Sequence, residues 1–213
     1  GHAFVDLPRW AFAELQAAAE HTDINNVVID NDAGTVYLAD SAMLLDVGAV
    51  GKGFAVERVA QDMIAGGVTS ALLSIGGNVR AIGTRGDGAS WRVNVQNPDL
   101  TAETQSIATL SLADLSLVTS GSYQRYYTVD GREYCHIIDP DTLYPAEHIW
   151  AVSVAAGDSG VADALSTALF TLPVSEGRAL LSGFDGAEAL WVNLDGSMEQ
   201  TDGFAALAQV SAD

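Results

Sequence analysis

The chain has 213 residues, of which 48% are hydrophobic and 17% charged, a composition that is typical of folded globular proteins and excludes a disordered chain. Its formal net charge of −19 disfavours nucleic acids and anionic membranes as partners. No apolar run reaches the ~18 residues that a transmembrane helix needs, and Cys135 is the only cysteine, so an internal disulfide is excluded. The length suffices for one substantial domain or for two small, closely packed ones, and we expect a single domain over residues 1–213.

The first third of the chain contains two helix patterns and one hairpin pattern. Residues 8–19 are expected to form a helix with Pro8 in its first turn. Residues 27–29 and 35–38 are expected to pair as a β-hairpin around Gly34. Residues 54–64 place their apolar side chains on one helical face and stop at two glycines, which is typical of an amphipathic helix.

The rest of the chain alternates between strand patterns and helix patterns. Strands are expected at residues 71–75, 92–96 and 106–112, and a second hairpin is expected to pair residues 126–129 with 133–138. A strand at residues 150–155, helices at 159–172 and 175–181, and a strand at 189–192 complete the pattern. The order is not a regular βαβ alternation, so we expect an α+β fold with mainly antiparallel sheets and packed helices.

A glycine-rich stretch, DVGAVGKG at residues 46–53, leads into the helix expected at 54–64. Glycines let backbone N–H groups approach an anion closely, and a helix N-terminus attracts negative charge. Lys52 is the only lysine in the chain and is therefore a candidate phosphate contact. The stretch matches neither the P-loop nor the dinucleotide-binding glycine pattern, so a tight turn with an exposed lysine is an equal alternative.

Three further segments contain candidate site residues, each with a structural alternative. Glycines 76 and 77 interrupt a strand pattern, which indicates a β-bulge or the close approach of a ligand, the bulge being favoured. His136, at a strand end, could accept a proton from a hydroxyl nucleophile, or could be an ordinary edge histidine. Asp163 and Thr167 share one helical face and would suit Mg²⁺, or could belong to a solvated polar face.

Six segments of the chain together resemble the ApbE family of bacterial flavin transferases. They follow the order of the family's motifs between residues 8 and 190, and six motifs in order are very hard to obtain by chance. The segments are DVGAVGKGFA from residue 46, SIGGNVRAIG from 74, WRVNVQNP from 91, TSGSYQRY from 119, HIIDP from 136 and ADALSTAL from 162.

The resemblance implies a compact α+β fold that holds FAD, as substrate, in a cleft. It implies that Mg²⁺ is bound by Asp163, Thr167 and the backbone carbonyl of Gly51, and that His136 is the base that activates an acceptor hydroxyl. The residues implied to contact FAD are Asp46, Gly48, Gly51, Lys52 and Ile138.

The activity implied by the resemblance is an FAD:protein FMN transferase. A Ser or Thr hydroxyl of an acceptor flavoprotein would attack the FMN-side phosphorus of FAD and release AMP. Two alternatives stay open: a Mg²⁺-dependent FAD pyrophosphatase that gives FMN and AMP, and a flavin-binding domain without catalysis.

The resemblance also carries expectations about the N-terminus and the location. Family members usually have a long stretch before the position of Pro8, so we expect this chain to lack that segment. They are commonly exported and lipid-anchored, which implies an extracytoplasmic location, although the chain shows neither a signal peptide nor a lipobox cysteine.

Overall fold

The structure of the protein is a computed structural model that describes residues 9–123 and 125–208. The chain divides into two compact units. The first contains Gly1–Asp46 and Asp139–Tyr144, and the second contains Val47–Ile138 and Pro145–Asp213. The described residues form helices and antiparallel strand pairs joined by turns and loops, which confirms the α+β class. The single domain expected from the length stays a prediction.

The first unit contains one helix and one hairpin. Helix α1 is Arg9–Ala19, and a short 3₁₀ turn, Ile24–Asn26, leads into strand β1, Val27–Asp30, which pairs with β2, Thr35–Leu38. The turn between the strands contains Gly34 at φ 64°, a left-handed conformation that glycine adopts without strain. Both elements were predicted; Pro8, expected in the first helical turn, lies outside the described residues.

The second unit contains the remaining helices and strands. In chain order they are α2 (Gly51–Ala65), β3 (Ser70–Ile75), β4 (Asn78–Gly83), β5 (Trp91–Gln96), β6 (Ser106–Leu112), β7 (Ser116–Gly121), β8 (Tyr126–Val129), β9 (Arg132–Cys135), β10 (Ala151–Ala156), α3 (Ser159–Phe170), α4 (Val174–Leu181), β11 (Glu188–Val192), β12 (Met198–Gln200) and α5 (Asp202–Leu207).

A six-stranded antiparallel sheet in the order β12-β11-β10-β7-β4-β3 forms the centre of this unit. The β5–β6 and β8–β9 hairpins form two separate two-stranded sheets. All six residues of β10 are buried, because this strand lies between β7 and β11 and both of its faces are covered. A strand buried on both faces has a near-continuous apolar sequence, and the segment from Ala151 to Ala156 is apolar except for the buried Ser153.

The two faces of the central sheet pack into different hydrophobic cores. Val152 and Val154 of β10 join one core with Trp191 and with residues of α3 such as Phe170. Ala155, which points to the opposite face, joins the other core with residues of the β5–β6 hairpin. The second unit therefore has three layers: α3, the central sheet, and the β5–β6 hairpin.

The structure differs from the sequence prediction at several boundaries. Strands β4 and β7, the short strand β12 and helix α5 were not predicted. Helix α2 begins at Gly51, three residues before the predicted start, and the strand expected over residues 133–138 ends at Cys135. Within residues 9–123 and 125–208, no helix combines the length and hydropathy that a membrane crossing requires.

Candidate functional site

The N-terminal turns of helices α2 and α3 come into backbone contact. A Cβ atom at Gly53 would lie 2.2 Å from the carbonyl oxygen of Ser159 and 2.5 Å from the Cβ of Asp163. Heavy atoms do not approach so closely, so any larger residue at position 53 would force the helices apart. The contact brings the end of the glycine-rich stretch against the first turns of α3.

Asp163 is the buried carboxylate at this helix contact. Its side chain is only 3% exposed. The N–H of Gly53 donates to its Oδ2 atom over 2.8 Å, and the ammonium of Lys52 lies 3.2 Å from its Oδ1 atom. The predicted solvated polar face is therefore wrong for Asp163. An ionised carboxylate in this position is held by a backbone donor and by a cation, as buried charges require.

Asn78 is the third side chain of the cluster that contains Lys52 and Asp163, and sequence analysis did not assign it to the site. Its Oδ1 atom accepts from the ammonium of Lys52 over 3.5 Å. The residue is 1% exposed, and its Nδ2 atom has no hydrogen-bond partner among the described residues. A buried amide without a partner is costly, so it marks a place where a bound group could complete the hydrogen bonding.

The glycines before Asn78 form a hairpin turn, so the predicted β-bulge is wrong. Gly76 and Gly77 have φ angles of 55° and 90°, and Ile75 faces Asn78 across the turn. Positive φ at both central positions is the requirement of a type I′ turn, a common two-residue hairpin loop. The aliphatic stem of Lys52 passes Gly76, where an added Cβ would lie 3.5 Å from the Lys52 Cδ.

Thr167 lies one helical turn after Asp163, on the same side of α3, as the sequence predicted. Its hydroxyl oxygen is 3.5 Å from the backbone carbonyl oxygen of Asp163, a long and weak contact. The hydroxyl of Ser166 donates to the same carbonyl over 2.9 Å and also bonds the Ser120 hydroxyl on β7. The Thr167 hydroxyl is therefore only weakly engaged, and its side chain is half-buried.

A second buried carboxylate, Glu57 on α2, makes the reciprocal connection between the same two helices. Its Oε2 atom accepts from the N–H of Ser159 over 2.9 Å and from the guanidinium of Arg80 over 3.0 Å. Burial works to raise its pKa, but the hydrogen bonds from Ser159, Gln61 and Arg80 outweigh it, and the pKa of Glu57 is lowered. Each helix thus supplies a carboxylate to a backbone N–H of the other.

The side chains near Asp163 fit a hard divalent cation. A carboxylate, a hydroxyl and an amide oxygen are the donor types that Mg²⁺ prefers, with its other positions filled by water or phosphate. The carboxylate already holds a cationic group, the Lys52 ammonium. No group of three or more His, Cys, Asp or Glu residues that could together hold a metal ion occurs in residues 9–123 and 125–208. The carbonyl of Gly51 stays a predicted ligand.

The glycine-rich stretch at residues 46–53 crosses the sequence boundary between the two units. Asp46 is the last residue of the Gly1–Asp46 segment of the first unit, and Gly48 belongs to the second unit. The N–H groups of Val50 and Gly51 both donate to the carbonyl of Val47. These two donors are used inside the loop and are not directed at an anion. The predicted contacts of Asp46 and Gly48 with a diphosphate stay predictions.

His136 and Ile138 follow the β8–β9 hairpin and lie outside the Lys52–Asp163 cluster. The imidazole Nδ1 of His136 is 3.1 Å from the carbonyl oxygen of Arg125. A carbonyl can only accept, so Nδ1 carries the hydrogen, and Nε2 of the neutral ring keeps its lone pair. His136 is exposed, and Ile138 is 47% exposed. The segment after the hairpin thus presents an exposed imidazole and, two residues later, an exposed apolar side chain.

Comparisons of the sequence find relatives along most of its length. A model of the ApbE family matches residues 8–191. An FAD:protein FMN transferase of Treponema pallidum is 41% identical over 167 residues, covering 74% of this chain and 46% of the relative. Another, from Klebsiella pneumoniae, is 33% identical over 193 residues, covering 90% and 57%. The chain thus spans about half the length of the curated relatives it matches.

Solved structures show the same fold. The ApbE protein of Thermotoga maritima superimposes with a TM-score of 0.83 at 32% identity, over 93% of this chain and 64% of its own. The flavinyl transferase ApbE of Pseudomonas stutzeri, in its apo form, superimposes with a TM-score of 0.77 at 32% identity, over 94% and 62%. Because the family model covers most of the chain and the fold agrees, the chain belongs to the ApbE family.

Proposed function

We propose that this chain transfers FMN from FAD to a Ser or Thr hydroxyl of an acceptor protein, with Mg²⁺ and with release of AMP. The observation that carries the proposal is the buried Asp163 carboxylate, which holds a cationic group at the contact between α2 and α3. The names of the relatives, FAD:protein FMN transferase, support the reaction type.

Each side chain has a task that its surroundings permit. Asp163 and Thr167, with the carbonyl of Gly51, would hold Mg²⁺, which would offset charge on the diphosphate and on the leaving AMP. Lys52 is 46% exposed and long enough to turn its ammonium from Asp163 to a phosphate oxygen. The exposed Ile138 would contact the flavin.

His136 would take the proton of the acceptor hydroxyl. Its Nδ1–H is held by the Arg125 carbonyl, so Nε2 is the atom that accepts. The hydroxyl oxygen would then form a bond to the FMN-side phosphorus, while the bond from that phosphorus to the oxygen bridging to AMP breaks. One phosphoester and one AMP result, and the proton remains on the imidazole.

The test is to incubate the purified chain with FAD and Mg²⁺, with and without a Ser/Thr-containing acceptor domain, and to follow AMP release and the acceptor mass. A gain in acceptor mass of one FMN phosphoester, dependent on Mg²⁺, is expected. Asp163→Asn, which keeps the side-chain shape, is expected to abolish it. AMP release without modified acceptor would instead indicate an FAD pyrophosphatase, and FAD binding without AMP would indicate a flavin-binding domain.

From the family resemblance we also propose an extracytoplasmic location for the native protein. Fractionation of the source cells, with detection by an antibody against this chain, is expected to place the protein at the cell surface or in the periplasm. Detection only with cytoplasmic markers would contradict the proposal.

A further inference from the structure

Lys52 is the cationic partner of Asp163 and holds it by one oxygen only. Its ammonium lies 3.2 Å from Oδ1 of Asp163 and 3.5 Å from Oδ1 of Asn78. The other carboxylate oxygen, Oδ2, is fixed by the N–H of Gly53. Oδ1 is therefore the oxygen of Asp163 that contacts a cationic group, while Oδ2 accepts from a backbone N–H.

The two carboxylates between α2 and α3 differ in how firmly their cations are held. Arg80, the partner of Glu57, has a side chain that is 6% exposed and donates a further hydrogen bond to the carbonyl of Ala81. Lys52 has a side chain that is 46% exposed and a flexible aliphatic stem. Separating Arg80 from Glu57 would leave two buried charges without an ionic partner. The Lys52 ammonium, in contrast, can move into water.

We propose that Lys52 competes with the divalent cation for Oδ1 of Asp163, so that the cation must displace the ammonium when it binds. This inference rests on the proposed function, because it concerns the same cation site. The displaced ammonium is then free to contact the anionic diphosphate. Lys52 thereby keeps the carboxylate neutralised before the cation arrives and becomes a phosphate ligand afterwards.

The expected size of the competition follows from electrostatics. A charge of opposite sign within about 4 Å of a carboxylate changes its affinity for a proton by about 10- to 1000-fold. The exposure of Lys52 favours the lower end of that range, because water screens the pair. Removal of the ammonium is therefore expected to tighten divalent cation binding about tenfold.

The first experiment measures Mn²⁺ binding to the purified chain in the absence of FAD, by the loss of the free-ion electron paramagnetic resonance signal. Lys52→Met keeps the aliphatic stem and removes the charge, and it is expected to bind Mn²⁺ about tenfold more tightly than the unaltered chain. Lys52→Arg keeps the charge and serves as the matched control, with a change of less than about threefold. Asp163→Asn is expected to abolish binding.

The outcomes separate the competition from the cation site itself. Unchanged or weaker Mn²⁺ binding by Lys52→Met, with binding still lost in Asp163→Asn, would overturn the competition and leave the cation site standing. Binding of Mn²⁺ by none of the variants would overturn both. Binding by Lys52→Met alone would support the competition in its strongest form.

A second experiment uses the fact that the chain has a single lysine. Protein labelled with ¹³C-lysine gives one Cε resonance from a lysine side chain, and Mg²⁺ is diamagnetic, so its addition can be followed directly. The Lys52 resonance is expected to move as Mg²⁺ is added and to saturate with the cation. In Asp163→Asn, the Lys52 resonance is expected to have a chemical shift near that of the Mg²⁺-saturated unaltered chain and not to change when Mg²⁺ is added. A Lys52 chemical shift that does not change with Mg²⁺ in the unaltered chain would contradict displacement.

Discussion

Gly53 determines the separation of the two helices that carry the candidate site. The sequence suggested that glycines in residues 46–53 allow an anion to approach the backbone. The structure shows a different reason for a glycine at position 53, because an added Cβ would overlap the carbonyl oxygen of Ser159. That requirement could not be predicted, because it depends on a residue more than a hundred positions away in the chain.

Gly53→Ala is expected to lower the free energy of unfolding by about 3 kcal/mol, because the clash is with backbone that cannot move aside. Denaturant unfolding at fixed temperature measures this. Gly51→Ala is the matched control, since the nearest atom to its added Cβ is a Val47 methyl at 3.8 Å. It is expected to be neutral or more stable by about 0.5 kcal/mol. Equal destabilisation by both variants would contradict this account.

His136→Ala is expected to slow FMN transfer about 100-fold while changing the dissociation constant of FAD by less than threefold, because a proton acceptor acts in the reaction and not in binding. Single-turnover kinetics and flavin fluorescence give the two values. His136→Asn can still donate to the Arg125 carbonyl but has no basic nitrogen, so it is expected to be as slow as His136→Ala. Equal losses in binding and rate would make His136 a binding residue.

At the scale of elements, α2 and α3 are joined by two reciprocal hydrogen bonds. Asp163 of α3 accepts from the Gly53 N–H of α2, and Glu57 of α2 accepts from the Ser159 N–H of α3. Because the two hydrogen bonds involve different residues along α2 and α3, together they fix the distance between the helices and the rotation of each helix about its axis. The position of Asp163 therefore depends on Glu57, a residue outside the cation site.

Glu57→Gln is expected to lower the free energy of unfolding by about 3 kcal/mol at neutral pH, because it leaves Arg80 buried without a charge partner. The lowered pKa of Glu57 means that its contribution is present above its unfolded pKa, near 4.5, and is lost as the pH falls through the folded pKa. The difference between the unaltered chain and Glu57→Gln should therefore shrink below pH 4.5 in denaturant unfolding experiments. Adding Arg80→Met to Glu57→Gln should restore part of the loss, and a pH-independent difference would contradict the assignment.

Elements with a clear local pattern could be predicted from the sequence. The hairpin of β1 and β2, helix α2 and the mainly apolar strand β10 depend on neighbouring residues, and all three are present. The apolar face predicted for α2 is only partly buried, since Val59 and Ile64 are exposed. Strand β4 could not be predicted because it carries Arg80 in its middle, a residue that is rarely buried in a strand. Its burial is explained by Glu57, and that pairing is invisible to local periodicity.

The residues of the candidate site also divide into those that a local sequence pattern marks and those that only contacts between elements reveal. The pairing of Asp163 with Thr167 follows from helical spacing, and Lys52 could be selected because it is the only lysine. Asn78 and Glu57 could not be selected from the sequence, because their roles depend on contacts between β4, α2 and α3. Sequence reasoning therefore selected candidates that local spacing or composition marks, and missed Asn78 and Glu57, whose contacts join different elements.

At the scale of the whole molecule, the net charge of −19 opposes an anionic substrate such as FAD. Raising NaCl from about 10 to 150 mM shortens the Debye length from about 30 to 8 Å and is expected to increase the association rate of FAD severalfold. Stopped-flow flavin fluorescence measures the rate. Riboflavin, which has no phosphate, is the control and should show no such increase; a decrease for FAD would mean that local attraction at Lys52 dominates.

The double connection between α2 and α3 also bears on which metal the proposed site selects. A pair of helices held at two points cannot widen easily to admit a larger ion with more ligands. Ca²⁺ requires six to eight oxygens at longer distances, whereas Mg²⁺ accepts few protein ligands at about 2.1 Å. The stiffness supplied by Gly53 and Glu57, neither of which is a candidate ligand, would therefore act as a size filter that favours Mg²⁺ over Ca²⁺.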